Sequence, residues 1–584
     1  MNTLPFTLTR RTVPLLLTAI LAACGGSDGD DGSANSTTPI QGTLLNGSSC
    51  VHKYYAQPAN PQRTGSDPLQ SLQWYLDNKG SLSGYSGLVA GEDLDLTGLF
   101  SIGARGQGIR VALVDDGLEV THDDLAPNVV EGGSYNYNTG WRRGSPWPMP
   151  CDKDDYHGTA VAGVIAARDN NGIGISGVAS RAELVGYNAL KTGSDADVLD
   201  ALVRDAGKNH IYNNSWGATD DGHFNSPTPG ASQAATIRTG LANGRGGLGS
   251  IYTFAAGNGG QYGDYSVLDG NVSVLGALPV CATTAAGTRA PYSEKGPNLI
   301  VCAPSSGSGS NQSTSLPDVE STALGNSYMK DFSGTSAAAP MVSGVVALML
   351  QANPNLTWRD VPLVLAQSAR QVEPGSAGWT RSPNGRVRYN HDYGFGVADA
   401  TAAVALARSW TSVGGSSTLK QCGPFTVQSG QPIPEAGLVS TTQELAQLQD
   451  AAALNRPVTD GLASQVSPAS CGITNIEHID VTVTVTGANG TGQHPDAGEL
   501  HMTLTSPSNQ TSTLTVPHTC NRFVNNSPIP ITCSGLSNFT FGVSRHMDEP
   551  VVAGANSTWT LGVADRRAND TGRLQNWSIT FYGR

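Results

Sequence analysis

The sequence predicts an α/β domain built on a mostly parallel sheet, followed by an all-β domain of jelly-roll-like character. Three observations carry that expectation. From about residue 67 to 410, short apolar runs ending in Gly, Asn, Asp or Pro alternate with helix-like stretches, as buried parallel strands and their crossover helices do. Beyond about residue 472 the apolar period becomes two, the signature of half-buried antiparallel strands. With 584 residues, 71 Gly, 33 Pro and 38% apolar residues, the chain reads as turn-rich and globular, long enough for more than one domain.

At the N-terminus, residues 13–23 are apolar and follow Arg10 and Arg11. The run falls short of the about 20 residues that a membrane-spanning helix needs. Its basic flank, apolar core and small residues predict a secretory signal over residues 1–23. Leu21-Ala22-Ala23-Cys24-Gly25 resembles a bacterial lipobox, which implies acylation of Cys24 and a membrane link through lipid only. The alternative is an ordinary signal cut after Ala23. Gly25 favours an outer-membrane lipoprotein, with an extracellular or periplasmic address as the other outcome. Residues 24–66 then form the lipobox Cys and a flexible linker rich in Gly, Ser, Asp and Asn.

Within 67–410, the runs 109–114, 182–185, 251–255 and 299–302 are expected as strands, and 159–167, 198–206 and 341–351 as helices. Residues 411–584 form the second domain. There Ile479, Val481, Val483 and Val485 alternate with polar residues, as do Leu500, Met502 and Leu504, Trp559, Leu561 and Val563, and Trp577, Ile579 and Phe581. Residues 423–470 read as an irregular insertion carrying one short helix at 441–455, opened by a Thr441/Glu444 capping box. Of nine cysteines, assigning Cys24 to lipid leaves an even number for an exported chain. Proximity suggests Cys281 with Cys302, Cys520 with Cys533, Cys422 with Cys471, and Cys50 with Cys151.

The 34 Lys and Arg against 47 Asp and Glu give a net charge of −13, which argues against a nucleic-acid partner and favours a cationic ligand. Three motifs carry the chemistry. Val114-Asp115-Asp116-Gly117 ends a strand, His157-Gly158-Thr159 opens a small-residue helix, and Gly334-Thr335-Ser336-Ala337-Ala338-Ala339-Pro340 opens another. Ser336 is a poor nucleophile until His157 takes its proton, and Asp115 holds the imidazole in the required tautomer. Ala256-Gly257-Asn258-Gly259-Gly260 follows a further strand, where Asn258 can donate its amide to an oxyanion.

Asp, then His, then Ser is the subtilisin chain order, and the sequence resembles that superfamily. The resemblance sharpens to the kexin/furin proprotein convertases in Asp155-Tyr156-His157-Gly158-Thr159, Ser215-Trp216-Gly217, Asp220-Asp221-Gly222 and Asn355-Leu356-Thr357-Trp358-Arg359-Asp360. Ile476-Glu477-His478, Leu504-Thr505-Ser506-Pro507 and the stretch from Trp577 to Gly583 look like the P domain of that group. The resemblance implies a calcium-dependent serine endopeptidase acting on protein or peptide substrates after Lys or Arg, with a preference for dibasic sites. It assigns Asp220 and Asp269, beside Ser215, to the side chain before the scissile bond. Asp116 and Asp154 fall to the preceding side chain, and Asp200 to a more distant basic residue.

The resemblance also implies two Ca2+ sites. One takes Asp67, Asp124 and Asn171 with backbone oxygens of Arg168, Ile173 and Ile175. The other takes Asp220, Asp264 and Glu294, beneath the specificity pocket. Family members carry a folding propeptide, which residues 25–66 lack the length and apolar content to form. An external chaperone-like inhibitor is therefore expected to replace it. A broad-specificity subtilisin whose acids serve only calcium is the alternative within the class. A non-catalytic surface adhesin is the alternative outside it.

Overall fold

The computed structural model describes residues 65–584 apart from 140–142, 151–152, 227–230, 308–315, 469–471, 525–526 and 552–556, together with the backbone of 39–43 and 49–53. Six strands, β1 (Arg110–Val114), β2 (Glu183–Tyr187), β3 (Ile211–Asn214), β4 (Ile251–Ala255), β5 (Ala277–Thr283) and β6 (Val301–Pro304), form one sheet in the order β2-β1-β3-β4-β5-β6. Every pairing is parallel. Because β1 lies between β2 and β3, the chain leaves its carboxyl end in one direction and later returns on the other side, opening a crevice there.

Helices α1 (His157–Ala166), α2 (Asp195–Ala201), α3 (Ala231–Asn243), α4 (Thr335–Ala352), α5 (Asp360–Ser368) and α6 (Ala400–Ser409) complete this domain. By length and composition α4 is apolar enough to cross a membrane, yet most of it is buried in the core of the domain. The helix expected at 198–206 instead spans Asp195–Ala201, with Ser194 capping it from the Asp197 N–H. Asp205 takes a left-handed conformation that closes the following turn. Strands β3 and β5 went unread in the sequence for physical reasons. β3 ends in two buried asparagines, Asn213 and Asn214, and β5 carries Pro279 at a position strands usually avoid.

Among its described residues the C-terminal domain has two four-stranded antiparallel sheets and a two-stranded hairpin, Cys520–Val524 with Ser527–Ile531. One sheet runs Lys420–Pro432, Gly572–Gly583, Ile476–Gly487, Phe539–Val543, and the other Leu462–Val466, Trp559–Asp565, Leu500–Thr505, Thr511–Thr515. The alternating residues picked out in the sequence, Ile479 to Val485, Leu500 to Leu504, Trp559 to Val563 and Trp577 to Phe581, make their shared core. The segment expected as an insertion is corrected at both ends, since it supplies an edge strand to each sheet. Lys420–Pro432 is largely exposed and Leu462–Val466 is short, so neither shows a strong period. Between them the helix is Thr442–Leu448, with the Thr441/Glu444 capping box formed.

Two of the sequence motifs meet across the domain boundary. Arg359, fully buried, makes a bidentate ion pair with Glu477, with both N···O distances 2.7 Å. Disulfides join Cys281 to Cys302 and Cys520 to Cys533. Cys422 is also disulfide-bonded. Its expected partner Cys471, like Cys24, Cys151 and the side chain of Cys50, lies outside the described residues.

Candidate active site

Asp115 follows the last residue of β1, and His157 is the first residue of α1. The Nδ1 of His157 lies 2.9 Å from Asp115 Oδ1, and the Phe332 ring packs edge-on to the imidazole at 5.6 Å. Asp115 is buried, and its Oδ1 also accepts from the Asp116 N–H at 2.8 Å. Burial opposes a charged imidazole, but the Asp115 carboxylate and then Asp116 outweigh it and push His157 up to about 9.

Ser336 stands in the first turn of α4. Its Oγ donates to the Ser215 carbonyl at 3.2 Å, and Ser215 Oγ donates back to the Ser336 carbonyl at 3.1 Å. Pro340, four residues on, has no N–H, so the Ser336 carbonyl lacks its helical donor and is open to Ser215. Asn258 Oδ1 accepts from the Thr335 N–H at 2.8 Å and from Thr335 Oγ1 at 3.0 Å. The amide oxygen is thereby fixed on the N-terminus of α4, leaving the NH2 as the donor end. Gly334 permits this approach: it has φ +81°, and a Cβ there would sit 3.1 Å from Asn258 Oδ1.

Beside Ser336 and Asn258 opens a cavity of about 280 Å3, lined by Ser215 to Asp220 on one side and Asp264, Asp269 and Glu294 on the other. Asp269 accepts from the Ala218 and Asn271 N–H groups, each at 2.7 Å, and burial pushes it up to about 6. Asp220 accepts from the Asn258 N–H at 3.0 Å, which ties the pocket to the loop that carries Asn258. Asp264 accepts from Gly222 and Tyr265, and Glu294 from Gly259. Burial raises both well above the usual carboxylate range, helped by the charges of Asp220 and Asp221 at Asp264 and of Asp264 and Asp220 at Glu294.

Those three acids fit a hard cation. A Cβ at Gly257 would meet the Glu294 carboxylate at 2.3 Å, and one at Gly259 would meet Asp264 at 2.6 Å, so glycines frame the cradle. Among the described residues, no Lys or Arg ion pair offsets Asp220, Asp264 or Glu294. The side chains of the first set also come together. Asn171 Nδ2 donates to Asp124 at 2.7 Å, Asp67 accepts from the Asn170 and Asn171 N–H groups, and Ile173 and Ile175 donate to Asn171 and Asp124. Arg168 donates its N–H to the Asp124 carbonyl. Burial and the neighbouring Asp67 push Asp124 up to about 7, and burial raises Asp67 as well.

The remaining acids differ from one another in their surroundings. Asp116 is bonded to the first turn of α1, accepting from His157 N at 3.2 Å and Gly158 N at 2.8 Å. Asp154 is mostly exposed beside Lys153, 3.2 Å away. Asp200 is engaged by Tyr137 at 2.6 Å and by Arg204, so its carboxylate is spent within the fold. Thr335 and the Lys191–Asp155 ion pair were not singled out in the sequence. Thr335 stood in the Gly334-Thr335-Ser336 motif, which was the available signal.

Residues 106–396 match the subtilase family and residues 476–581 the proprotein convertase P-domain. The molecule is thus a subtilisin-like domain followed by a P domain. The chain belongs with the homologues of kexin and furin. It is 32% identical to protease KEX1 of Kluyveromyces lactis, over 89% of this chain and 60% of that one. It is 31% identical to human furin, over 88% of this chain and 58% of that one. It therefore spans about 60% of the length of these curated relatives. Among solved structures, the serine protease of Aeromonas sobria is similar at a TM-score of 0.70 and 27% identity, over 89% of this chain and 96% of that one. The same protease in complex with its chaperone gives a TM-score of 0.71 at 27% identity, over 89% and 95%.

Proposed function

We propose that this protein is a serine endopeptidase that hydrolyses peptide bonds after Lys or Arg. The observation that carries this reading is the half-buried acid pair Asp220 and Asp269, lining a cavity that opens beside Ser336 and Asn258. A substrate cation entering that cavity offsets buried negative charge, whereas an apolar side chain leaves it uncompensated.

Ser336 Oγ turns from the Ser215 carbonyl, gives its proton to His157 Nε2 and attacks the scissile carbonyl carbon. The carbonyl π pair moves onto oxygen, where the Asn258 NH2 and the Ser336 N–H receive the charge. Asp115 holds Nδ1–H and stabilises the imidazolium. His157 then returns the proton to the leaving amine, and water repeats the sequence on the acyl-enzyme. Calcium, held by Asp220, Asp264 and Glu294 and by Asp67, Asp124, Asn171 and the carbonyls of Arg168, Ile173 and Ile175, would neutralise the clustered carboxylates.

Selectivity for the side chain before the scissile bond dominates in this reading. Asp154 is exposed and Asp200 already paired, so the second basic position rests on Asp116 and Asp154 with less force. The Aeromonas complex supports a separate folding helper for this chain. Export and lipidation at Cys24 rest on the sequence. Cleavage-site mapping of an unfolded protein substrate, with Ser336→Ala as control, tests the reading. Fragments ending in Lys or Arg, absent with the variant, are expected; cuts distributed over apolar residues would overturn the specificity.

A further inference from the structure

The loop 219–225 has the pocket acids on one side and the C-terminal domain on the other. Gly222 shows how closely the two are joined. Its N–H donates to Asp264 Oδ2 at 2.9 Å, while its carbonyl oxygen lies 2.9 Å from His518 Nε2 of the C-terminal domain. The same oxygen is 3.0 Å from Cys520 Sγ, a sulfur–oxygen contact, since the disulfide leaves that sulfur no proton to donate. Gly222 has φ +80°, and a Cβ there would meet the Thr519 carbonyl oxygen at 2.9 Å, so no side chain fits between the domains.

The neighbouring residues repeat the pattern. Asn521 donates its N–H to the Asp221 carbonyl at 2.7 Å. Phe224 is buried in the C-terminal core, with Phe539 at 5.6 Å, His518 at 5.7 Å and Phe541 at 6.2 Å between ring centroids. Asn225 returns to the pocket, donating to Leu268 and accepting from Gly270 on either side of Asp269. Asp220 is one residue before this clamp and Asp269 is bridged to its far end. The Cys520–Cys533 disulfide pins the strand that carries His518, Cys520 and Asn521 against the segment ending at Cys533.

We propose that the C-terminal domain braces, from behind, the loop that walls the primary specificity pocket, and that His518 and the Cys520–Cys533 disulfide are positioning elements that hold Asp220 and Asp269 for a basic side chain. The proposal rests on the basic-residue reading above and adds to it a second domain and a redox-sensitive bond. A general stabilising role for that domain would weaken all substrates alike. Positioning of the pocket acids weakens basic substrates selectively, because among substrate side chains only a cation pairs with those carboxylates.

The test uses the full chain as wild type, as His518→Ala, and as Cys520→Ser with Cys533→Ser, with loss of the disulfide confirmed by mass spectrometry. Matched peptides ending in Arg and in Phe are compared, and p-aminobenzamidine binding is measured in a Ser336→Ala background to read the pocket without catalysis. The expected result is a fall of about 10- to 100-fold in the Arg-to-Phe ratio of kcat/KM, the scale on which displaced groups cost rate. It should appear chiefly in KM for the Arg peptide, with weaker amidine binding and little change for Phe. If the double variant does not fold, mild reduction of folded wild type by a phosphine gives the comparison, with mass spectrometry confirming that Cys520–Cys533 is open while Cys281–Cys302 and the Cys422 disulfide stay closed. A wild type that prefers Arg while every altered form keeps that preference overturns this proposal alone. A wild type that shows no preference and binds no amidine overturns the basic-residue reading and this proposal with it.

Discussion

Two groups of acids in the catalytic domain differ in what surrounds them. Along α2, Asp197 holds Arg143 at 2.6 Å and Asp200 holds Arg204, so each carboxylate has its cation within the fold. In the pocket, Asp264 and Glu294 are buried and Asp220 and Asp269 half-buried, with backbone N–H groups and one another for company, and their acidities are all weakened. The difference separates acids that complete the protein from acids that await an external cation. Buried charge is tolerated in proteins when paired. In the proposed reading, the pocket is where a basic side chain and a metal ion act.

The comparison is sharpest at Asp269. Asp269→Asn should lower kcat/KM for an Arg peptide by about 10²–10³-fold, the scale of an unpaired buried charge, and leave a Phe peptide nearly unchanged. Steady-state kinetics on the two peptides check this. Asn258→Ala should lower kcat by about 10²–10³-fold for both peptides, because the oxyanion is common to them. A loss confined to Arg would move Asn258 from the chemistry to the pocket.

Metal and pH act on the same acids. A folded-state acid whose pKa is raised binds protons that the unfolded chain has released, so stability falls as pH rises from the unfolded value through the folded one. With Asp269 at about 6, Asp124 at about 7 and Asp264 and Glu294 raised, the calcium-free protein should melt at a lower temperature at pH 8 than at pH 5. Calcium at 100 times its Kd should restore about 3 kcal/mol at pH 8. Calorimetry with and without chelator measures both. A calcium-free Tm that rises with pH would remove the argument for uncompensated carboxylates. Activity runs the other way: His157 must be neutral to accept the serine proton, so kcat/KM should climb with pH towards about 9. A profile already flat from pH 6 would contradict the raised imidazole.

The smallest effect is expected from the paired acids. Arg204→Ala should change activity on Arg and Phe peptides less than about threefold, since partly exposed ion pairs contribute about 0–1 kcal/mol. An appreciable gain for peptides with a distant basic residue would show that Asp200, once released, reaches substrate.

Much of this was legible in the sequence. Asp115 and Asn258 closely follow the ends of strands, and His157 and Ser336 lie in the first turns of helices, where periodicity and punctuation are strongest. Arg359 and Glu477 stood out separately as motifs, and their meeting needed the fold. Strand β5 was hidden by Pro279, and the edge strands Lys420–Pro432 and Leu462–Val466 by the weak burial of a sheet margin. What a carboxylate touches was the least legible feature. Asp116, Asp154 and Asp200 look alike in sequence, yet one binds the start of α1, one is exposed and one is paired with an arginine.

The most direct test of the central claim is hydrolysis of matched chromogenic peptides ending in Lys-Arg, Ala-Arg and Ala-Phe by the purified chain with calcium, against Ser336→Ala. Strong cleavage of both Arg peptides over Ala-Phe, abolished in the variant, is the predicted result. Equal cleavage of Ala-Phe would contradict it and leave the pocket acids serving calcium alone.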